Sequence, residues 1–447
     1  MDDILAYIDS HLEQTIERLQ DYCRQPSIAA QGVGMDQMAE LVRQGLEQVG
    51  AQVELVPTGG YPVVLGRLAG RGSKTLMFYN HYDVQPPEPL DLWQSPPFGA
   101  EIRDGHLYAR GVADNKGNLV ARMAAVEAWL AVRGELPLNV LFVVEGEEEI
   151  GSLNLSRFAK ENQRKLRADG CIWETGYKDT KGRLEIMLGA KGILAVDLRV
   201  SALGWDLHSA NAAIAESAVW RLVWALNSLK GPNERIRIPG FYDDVRPPDE
   251  RDRVMLAAWD FDEAGQLAKF GADRFLLDLS GQALKEKFLF QPTCNLCGFH
   301  AGYSGPGIKT VLPAEAAAKL DFRLVPDQDP HDILKKLRAH LDAEGFSDVE
   351  IVVEGPEHPA RTNPDDPLVG AVVRAACKAY DNEPVVKPLM AGTGPMYELC
   401  QRWGMPAVGA GIGWSGSRSH SPNENICLED LRQGIRHISL ILEEFSR

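Results

Sequence analysis

Apolar positions recur with a helical period from the first residues of the chain. Ile4, Leu5, Ile8, Leu12, Ile16 and Leu19 fall on one face, which predicts an amphipathic helix broken at Pro26. The period then shortens. VELVP, VVLGRL and TLMFYNH are strand-like runs, and the last is apolar up to His81 at its C-terminal end. Asn118 to Ala131 returns to helical spacing, and LNVLFVVE, closing at Glu145, is an apolar strand that runs into an acidic cluster. Strands alternating with helices in this way predict a mostly parallel α/β sheet.

The pattern changes near Gly189. KGILAVDLRVSA alternates like a strand with one exposed face, Asn211 to Lys230 is helical, and Gly231 to Asp252 is rich in proline and charge. TVLPAEAAAKLDFRLVP reads as two strands about a tight connection, and HDILKKLRAHL as a helix. Strands with few helices predict a smaller α+β unit. From about Pro364 the first style returns: PLVGAVVRAACKAY as a helix, PAVGAGIG as a strand, and a last helix with Leu428, Leu431, Ile435, Ile438, Leu442 and Phe445 on one stripe. The economical organisation is one α/β domain over 1–187 and 363–447, interrupted by a second domain over 188–362.

Composition narrows the function classes. A chain of 447 residues exceeds what one core usually holds. A net charge of −16 supplies no basic stripe for phosphates and argues against nucleic acid and anionic membranes. No apolar run is long enough for a bilayer, and the acidic start MDDILAYIDSHLEQ has neither the basic nor the apolar region of a signal peptide. Seven scattered cysteines then read as free thiols in a reducing, cytoplasmic setting.

Against that background five segments concentrate chemistry at expected strand ends and loops. They are YNHYDVQPP (His81, Asp83), GVADNKG (Asp114), EGEEEIGS (Glu148, Glu149), IWET (Glu174) and RSHSPNE (His420). Each has an ordinary account alone: a strand-end histidine, a helix cap, an exposed loop histidine. Four glutamates at 145, 147, 148 and 149 leaving an apolar strand are harder to dismiss, because their repulsion calls for cations or protons. Asp83 could hold one nitrogen of His81 and so fix its tautomer. Two histidines with several carboxylates form the ligand inventory of a site for two divalent ions, which activates water against a carbonyl.

YNHYDVQP, RGVADNKG, EGEEEIGS, DLHSA, SGPGIKTVLP and FRLVP occur in this order. The chain thereby resembles the two-zinc metallopeptidase family of carnosinase, cytosolic nonspecific dipeptidase, aminoacylase and glutamate carboxypeptidase, and is most similar to the carnosinase-like dipeptidase branch. The resemblance implies a zinc-peptidase α/β domain with an inserted lid and dimerisation domain. It implies that His81, Asp114 and Glu174 hold one zinc, and Glu149, Asp114 and His420 the other, with manganese or cobalt as substitutes. It implies that Glu148 is the general base, that Asp114–Asn115 is cis, and that His208 stabilises the oxyanion in a partner subunit, hence a homodimer through the lid. Thr310, Arg323 and the loop Gly392, Thr393 and Gly394 would contact a small peptide or N-acyl amino acid. Arg323 also has a physical case, since guanidinium grips carboxylate through two hydrogen bonds.

Two positions depart from the dipeptidase pattern. Glu174 stands where that branch usually has Asp and deacylases and carboxypeptidases have Glu, and MAGTGPMY (Met390 to Tyr397) replaces an Arg-Glu-Gly-Gly-Ser pattern. The expectation is therefore a dipeptidase, with an N-acyl-amino-acid deacylase or carboxypeptidase as the alternative. A serine hydrolase built on Ser415 in GWSGS, or a binding protein without turnover, is the rival from another class. Cys294 and Cys297 in PTCNLCGF lie in an expected strand, with side chains on opposite faces, and predict neither a redox pair nor a metal site.

Overall fold

Two sheets carry most of the strands in the computed structural model, which describes residues 1–447. In chain order the strands are β1 (Gln52–Val56), β2 (Val63–Leu68), β3 (Thr75–His81), β4 (Asn139–Glu145), β5 (Gly170–Trp173), β6 (Glu185–Met187), β7 (Gly192–Ser201), β8 (Thr293–Ala301), β9 (Glu315–Leu324), β10 (Glu350–Glu357), β11 (Val385–Lys387) and β12 (Ala407–Gly409).

The central sheet has the order β1-β2-β4-β3-β5-β12-β6-β11. Its middle is parallel: β3 pairs with β4 and β5, and β5 with β12. Both faces are covered, which explains why β3 is apolar over Leu76–Tyr79 and β4 over Val140–Val144. Successive side chains of β3 enter opposite cores, Leu76 and Phe78 on one side, Met77 and Tyr79 on the other. Each such buried side chain contributes roughly 1.5–3 kcal/mol. The larger core takes the helices Met35–Gln48, Gly117–Arg133, Pro367–Ala379 and Leu428–Ser446. Gly117–Arg133 is buried nearly all round, as its Leu, Val, Ala and Met content requires. No helix is long and apolar enough to cross a membrane.

The second sheet, β8-β9-β7-β10, is antiparallel throughout. Alternating residues of β9 point into a separate core with the helices Ala218–Leu229 and Pro330–Ala343. Three further helices, Glu250–Ala258, Glu263–Phe270 and Gly281–Phe290, fall within this stretch of sequence, and the first and third attach elsewhere. Leu256, Trp259, Leu289 and Phe290 pack with Val385 of β11, at the edge of the central sheet. Trp259 donates its indole N–H to Glu185 of β6 at 2.9 Å, and Arg361 pairs with the buried Asp252.

Three crossings between the two sheets lie side by side. Gly189–Ala190 pairs with Ala360–Arg361. Lys191 reaches across to donate to the carbonyl of Gln291 at 2.7 Å.

Two expected helices are subdivided. The first breaks at His11 into Asp2–Ser10 and Leu12–Arg24, where Ser10 Oγ and His11 Nδ1 both reach the Tyr7 carbonyl and compete with the backbone for it. Asn211 to Lys230 is a short 3-10 turn ending at Ala213 and then a helix starting at Ala218, capped by Ser217.

Candidate metal centre and active site

Strand ends and the loops after them build the site, as open α/β sheets favour. His81 is the last residue of β3, paired in register with Glu145 of β4. Glu174 follows β5, Asp114 precedes the helix Gly117–Arg133, and Glu148 and Glu149 begin a 3-10 turn after β4. His420 comes from a loop near the C-terminus, at φ 61°.

Five side chains converge. His81 Nε2 lies 3.1 Å from Asp114 Oδ1 and 3.2 Å from Glu174 Oε2. His420 Nε2 lies 3.3 Å from Asp114 Oδ2 and 3.2 Å from Glu149 Oε2. Asp114 thus stands between two histidine–carboxylate pairs, one oxygen toward each. The Asp114–Asn115 peptide bond is cis.

The arrangement demands positive charge. His81 Nδ1 is 3.0 Å from the Asp83 carbonyl and 3.3 Å from its carboxylate, so its proton is held there. Nε2 then presents a lone pair to two carboxylates. Burial, opposed by His81, pushes Glu174 up to about 8. Burial and then the Glu174 charge push Glu148 well above the usual carboxylate range. Asp114 and Glu149 raise His420 to about 10. Glu174 Oε2 is buried without a hydrogen-bond donor. Two imidazoles and three carboxylates on one locus fit divalent cations bound by nitrogen and oxygen.

Only part of the acidic run faces this locus. Glu145 is taken by Tyr79 and Ser152, and Glu147 by Asn154 and the Tyr61 N–H. Glu148 and Glu149 remain for the site. Asp83 positions both, accepting from their backbone N–H groups at 3.3 and 2.9 Å. Gln85 donates to Glu149 Oε2 at 2.8 Å.

A second cluster of expected residues lies beside the first. Arg323 on β9 donates to Thr393 Oγ1 at 2.8 Å. At the neighbouring Gly394, a side chain would point to within 4.0 Å of Glu148 Oε1. Gly392 accepts the Lys191 N–H at 3.0 Å. His208 and Thr310 form a third group apart from these. His208 is exposed, its Nδ1 accepts from the Ala210 N–H, and it pairs with Val311 next to Thr310. Neither makes a hydrogen bond to the metal-site side chains of its own chain. Ser415 is exposed, and the nearby His420 is turned to Asp114 and Glu149 instead. Cys294 is buried and Cys297 exposed, and all seven cysteines are free.

Sequence reasoning missed the supports. Glu424, fully buried, accepts from Arg110 at 2.8 Å and from the N–H groups of Gly111, Ala113 and Asp114, each at 3.0 Å. It fastens the His420 loop to the Asp114 turn. The buried Arg122 donates to Asn80 Oδ1 at 2.7 Å and to the Glu174 carbonyl at 3.2 Å, and Asn115 reaches the same carbonyl at 2.9 Å. The available signal was an acid four residues after His420 and an arginine four before Asp114, inside motifs already singled out.

Known proteins resemble this chain in sequence and in fold. A metallo-carboxypeptidase of the M20 family, Sso-CP2 from Sulfolobus solfataricus, superposes with a TM-score of 0.93 at 40% identity, over 97% of this chain and 99% of that one. The Beta-Ala-His dipeptidase of Mus musculus is 27% identical, covering 100% of this chain and 96% of its own. The Cys-Gly metallodipeptidase dug1 of Schizosaccharomyces pombe is 28% identical over 76% of this chain and 75% of its own. Residues 77–444 match the model of peptidase family M20/M25/M40, and the chain belongs to that family.

Proposed function

We propose that the protein is a two-metal hydrolase of amide bonds in small substrates with a free carboxylate, dipeptides first. The observation that carries this is the Asp114 carboxylate set between the His81–Glu174 and His420–Glu149 pairs. His81, Glu174 and Asp114 would hold one cation, and His420, Glu149 and Asp114 the other, zinc first, with manganese or cobalt suited to the same donors. When bound, such ions supply an activated water and a Lewis acid for the scissile carbonyl.

The chain's own groups do the rest. Asp83 keeps the His81 proton on Nδ1, so that Nε2 is free to ligate. Glu148, half-buried beside the cluster, takes a proton from the attacking water and returns it to the leaving amine. Arg323, steadied by Thr393, receives the substrate carboxylate. His208 and Thr310 are exposed on the second unit and would complete the site of a second copy, with residues 188–362 as lid and dimer contact. The free cysteines accord with a cytoplasmic protein.

A second reading, carboxypeptidase or N-acyl-amino-acid deacylase, is favoured by Glu174 and by the likeness to Sso-CP2. Metal analysis and hydrolysis of a dipeptide and its N-acetylated form, before and after chelation, test both. About two metals per chain with chelator-sensitive, metal-restored turnover is the expected result. A metal-free chain that still hydrolyses either substrate would overturn the proposal.

A further inference from the structure

A hydrogen-bond donor beside the carboxylate cluster has no acceptor. Trp173 ends β5, one residue before Glu174, and is 1% exposed. Its ring is stacked on Tyr79 with centroids 4.0 Å apart, and its carbonyl accepts from Arg122. The indole is therefore held on both sides, yet its Nε1–H is buried and bonds to nothing. Few buried donors are left so in folded chains. An indole nitrogen only donates, so the group that answers it must be an acceptor.

Glu148 is the converse case. The other three acids of its run are held by side chains, Glu145 by Tyr79 and Ser152, Glu147 by Asn154, and Glu149 by Gln85. Glu148 is bonded through its backbone alone, donating its N–H to Asp83 and accepting the Gly151 N–H at its carbonyl. Its half-buried carboxylate has no donor and can turn about the side-chain torsions.

The unanswered donor and the unanswered carboxylate border one small space. A Cβ added to Gly394 would lie 3.9 Å from Trp173 Nε1 and 4.0 Å from Glu148 Oε1. Residue 394 has no side chain to fill that space, which leaves it open to the carboxylate.

Building on the proposed function, we infer that Trp173 is a positioning residue for Glu148: its indole N–H holds one carboxylate oxygen, so that the other faces the attacking water. A donor already fixed by stacking needs no reorganisation to do this. Gly394 serves the same end by keeping the space clear.

The first test reads the indole N–H signals of the substrate-free, zinc-loaded full chain by nitrogen-labelled magnetic resonance. Nine tryptophans give nine signals. Trp173→Phe, which keeps a ring on Tyr79, identifies the one of interest, and cross-relaxation with the Tyr79 ring identifies it if that variant does not fold. A hydrogen-bonded N–H resonates downfield, so Glu148→Ala should move the Trp173 signal upfield. Gly394→Ala should move it the same way with both partners present, and Gly394 is not at positive φ, so its backbone accepts alanine. A signal left in place by both substitutions overturns the inference.

Kinetics on Gly-Ala separate positioning from mere packing. Trp173→Phe should lower kcat about ten- to a hundredfold at unchanged KM and metal content, and should cost far less when added to Glu148→Gln, because a residue acting through another is not additive with it. Equal losses in the two backgrounds would mark Trp173 as a packing residue and overturn the inference. A signal that answers to Glu148→Ala in a chain that hydrolyses nothing would sink the proposed function and keep the pairing. Hydrolysis with an unmoved signal would sink the pairing alone.

Discussion

Two histidines, His81 and His420, reach the Asp114 carboxylate from opposite kinds of structure. His81 is 0% exposed, ends a strand hydrogen-bonded on both sides, and has its second nitrogen held by Asp83. His420 is 54% exposed and sits at positive φ in a loop where Arg418 and Asn423 are also left-handed. Yet their distances to carboxylate oxygens match, 3.1 and 3.2 Å against 3.3 and 3.2 Å. A sheet ladder gives one its placement. The other borrows its placement from one buried carboxylate, Glu424, which ties the loop to the turn that carries Asp114.

The largest effect is expected where both halves are served at once. Glu148→Gln should lower kcat by about 10²–10⁴-fold while leaving the metal content unchanged. Metal analysis alongside kinetics checks this, and a lost metal would assign Glu148 to one half as a ligand. Glu424→Gln should separate the halves. It leaves Arg110 buried without its charge partner, at about 3–5 kcal/mol of stability. Urea unfolding measures that loss, and the metal bound through His420 should be the first to dissociate.

Asp83→Asn acts on the other half. A 10–100-fold weaker metal affinity is expected, measured by competition with a chelator. Gln85→Ala, which removes one contact to Glu149, should cost less. The smallest effect concerns a histidine with no carboxylate neighbour. His437, buried against the Val372 carbonyl and Tyr380, is held down at about 4 by burial. Unfolded, its pKa is about 6.5, so below that pH the unfolded chain takes up the extra proton. Its contribution is intact above pH 6.5 and falls toward pH 4, at no more than about 1.4 kcal/mol per pH unit. The wild type should lose roughly 1 kcal/mol more than His437→Asn between pH 6.5 and 5.5 by urea midpoints.

The same contrast explains what could be read from the chain. Strand β3 announces itself by four successive apolar residues bound for two cores, and it delivers His81 just after that run stops. The five converging side chains were legible because they lie at strand ends and in the loops beside them, within motifs dense in polar groups. Glu424 and Arg110 were not, since a buried ion pair joining residues 314 apart leaves no periodic trace. The helices Glu250–Ala258 and Gly281–Phe290 belong by sequence order to the second sheet and by packing to the first, because Trp259 and Phe290 find their apolar partner, Val385, across the chain. The expected four-glutamate cluster divides in two for a local reason: Tyr79, Ser152 and Asn154 stand near enough to satisfy Glu145 and Glu147.

The neighbouring crossings at 189–191, 291 and 360–361 have a mechanical consequence. Joined along one line, they act like the spine of a book. A rotation of the second sheet about that spine would keep these bonds, whereas sliding along it or away from it would break them. Travel at its far edge is then an arc whose radius is the length of β7, while Arg323, near the spine end of β9, hardly moves. Under the proposed function the carboxylate grip would stay in place through such a rotation, and the sweep would fall to the surface that bears His208.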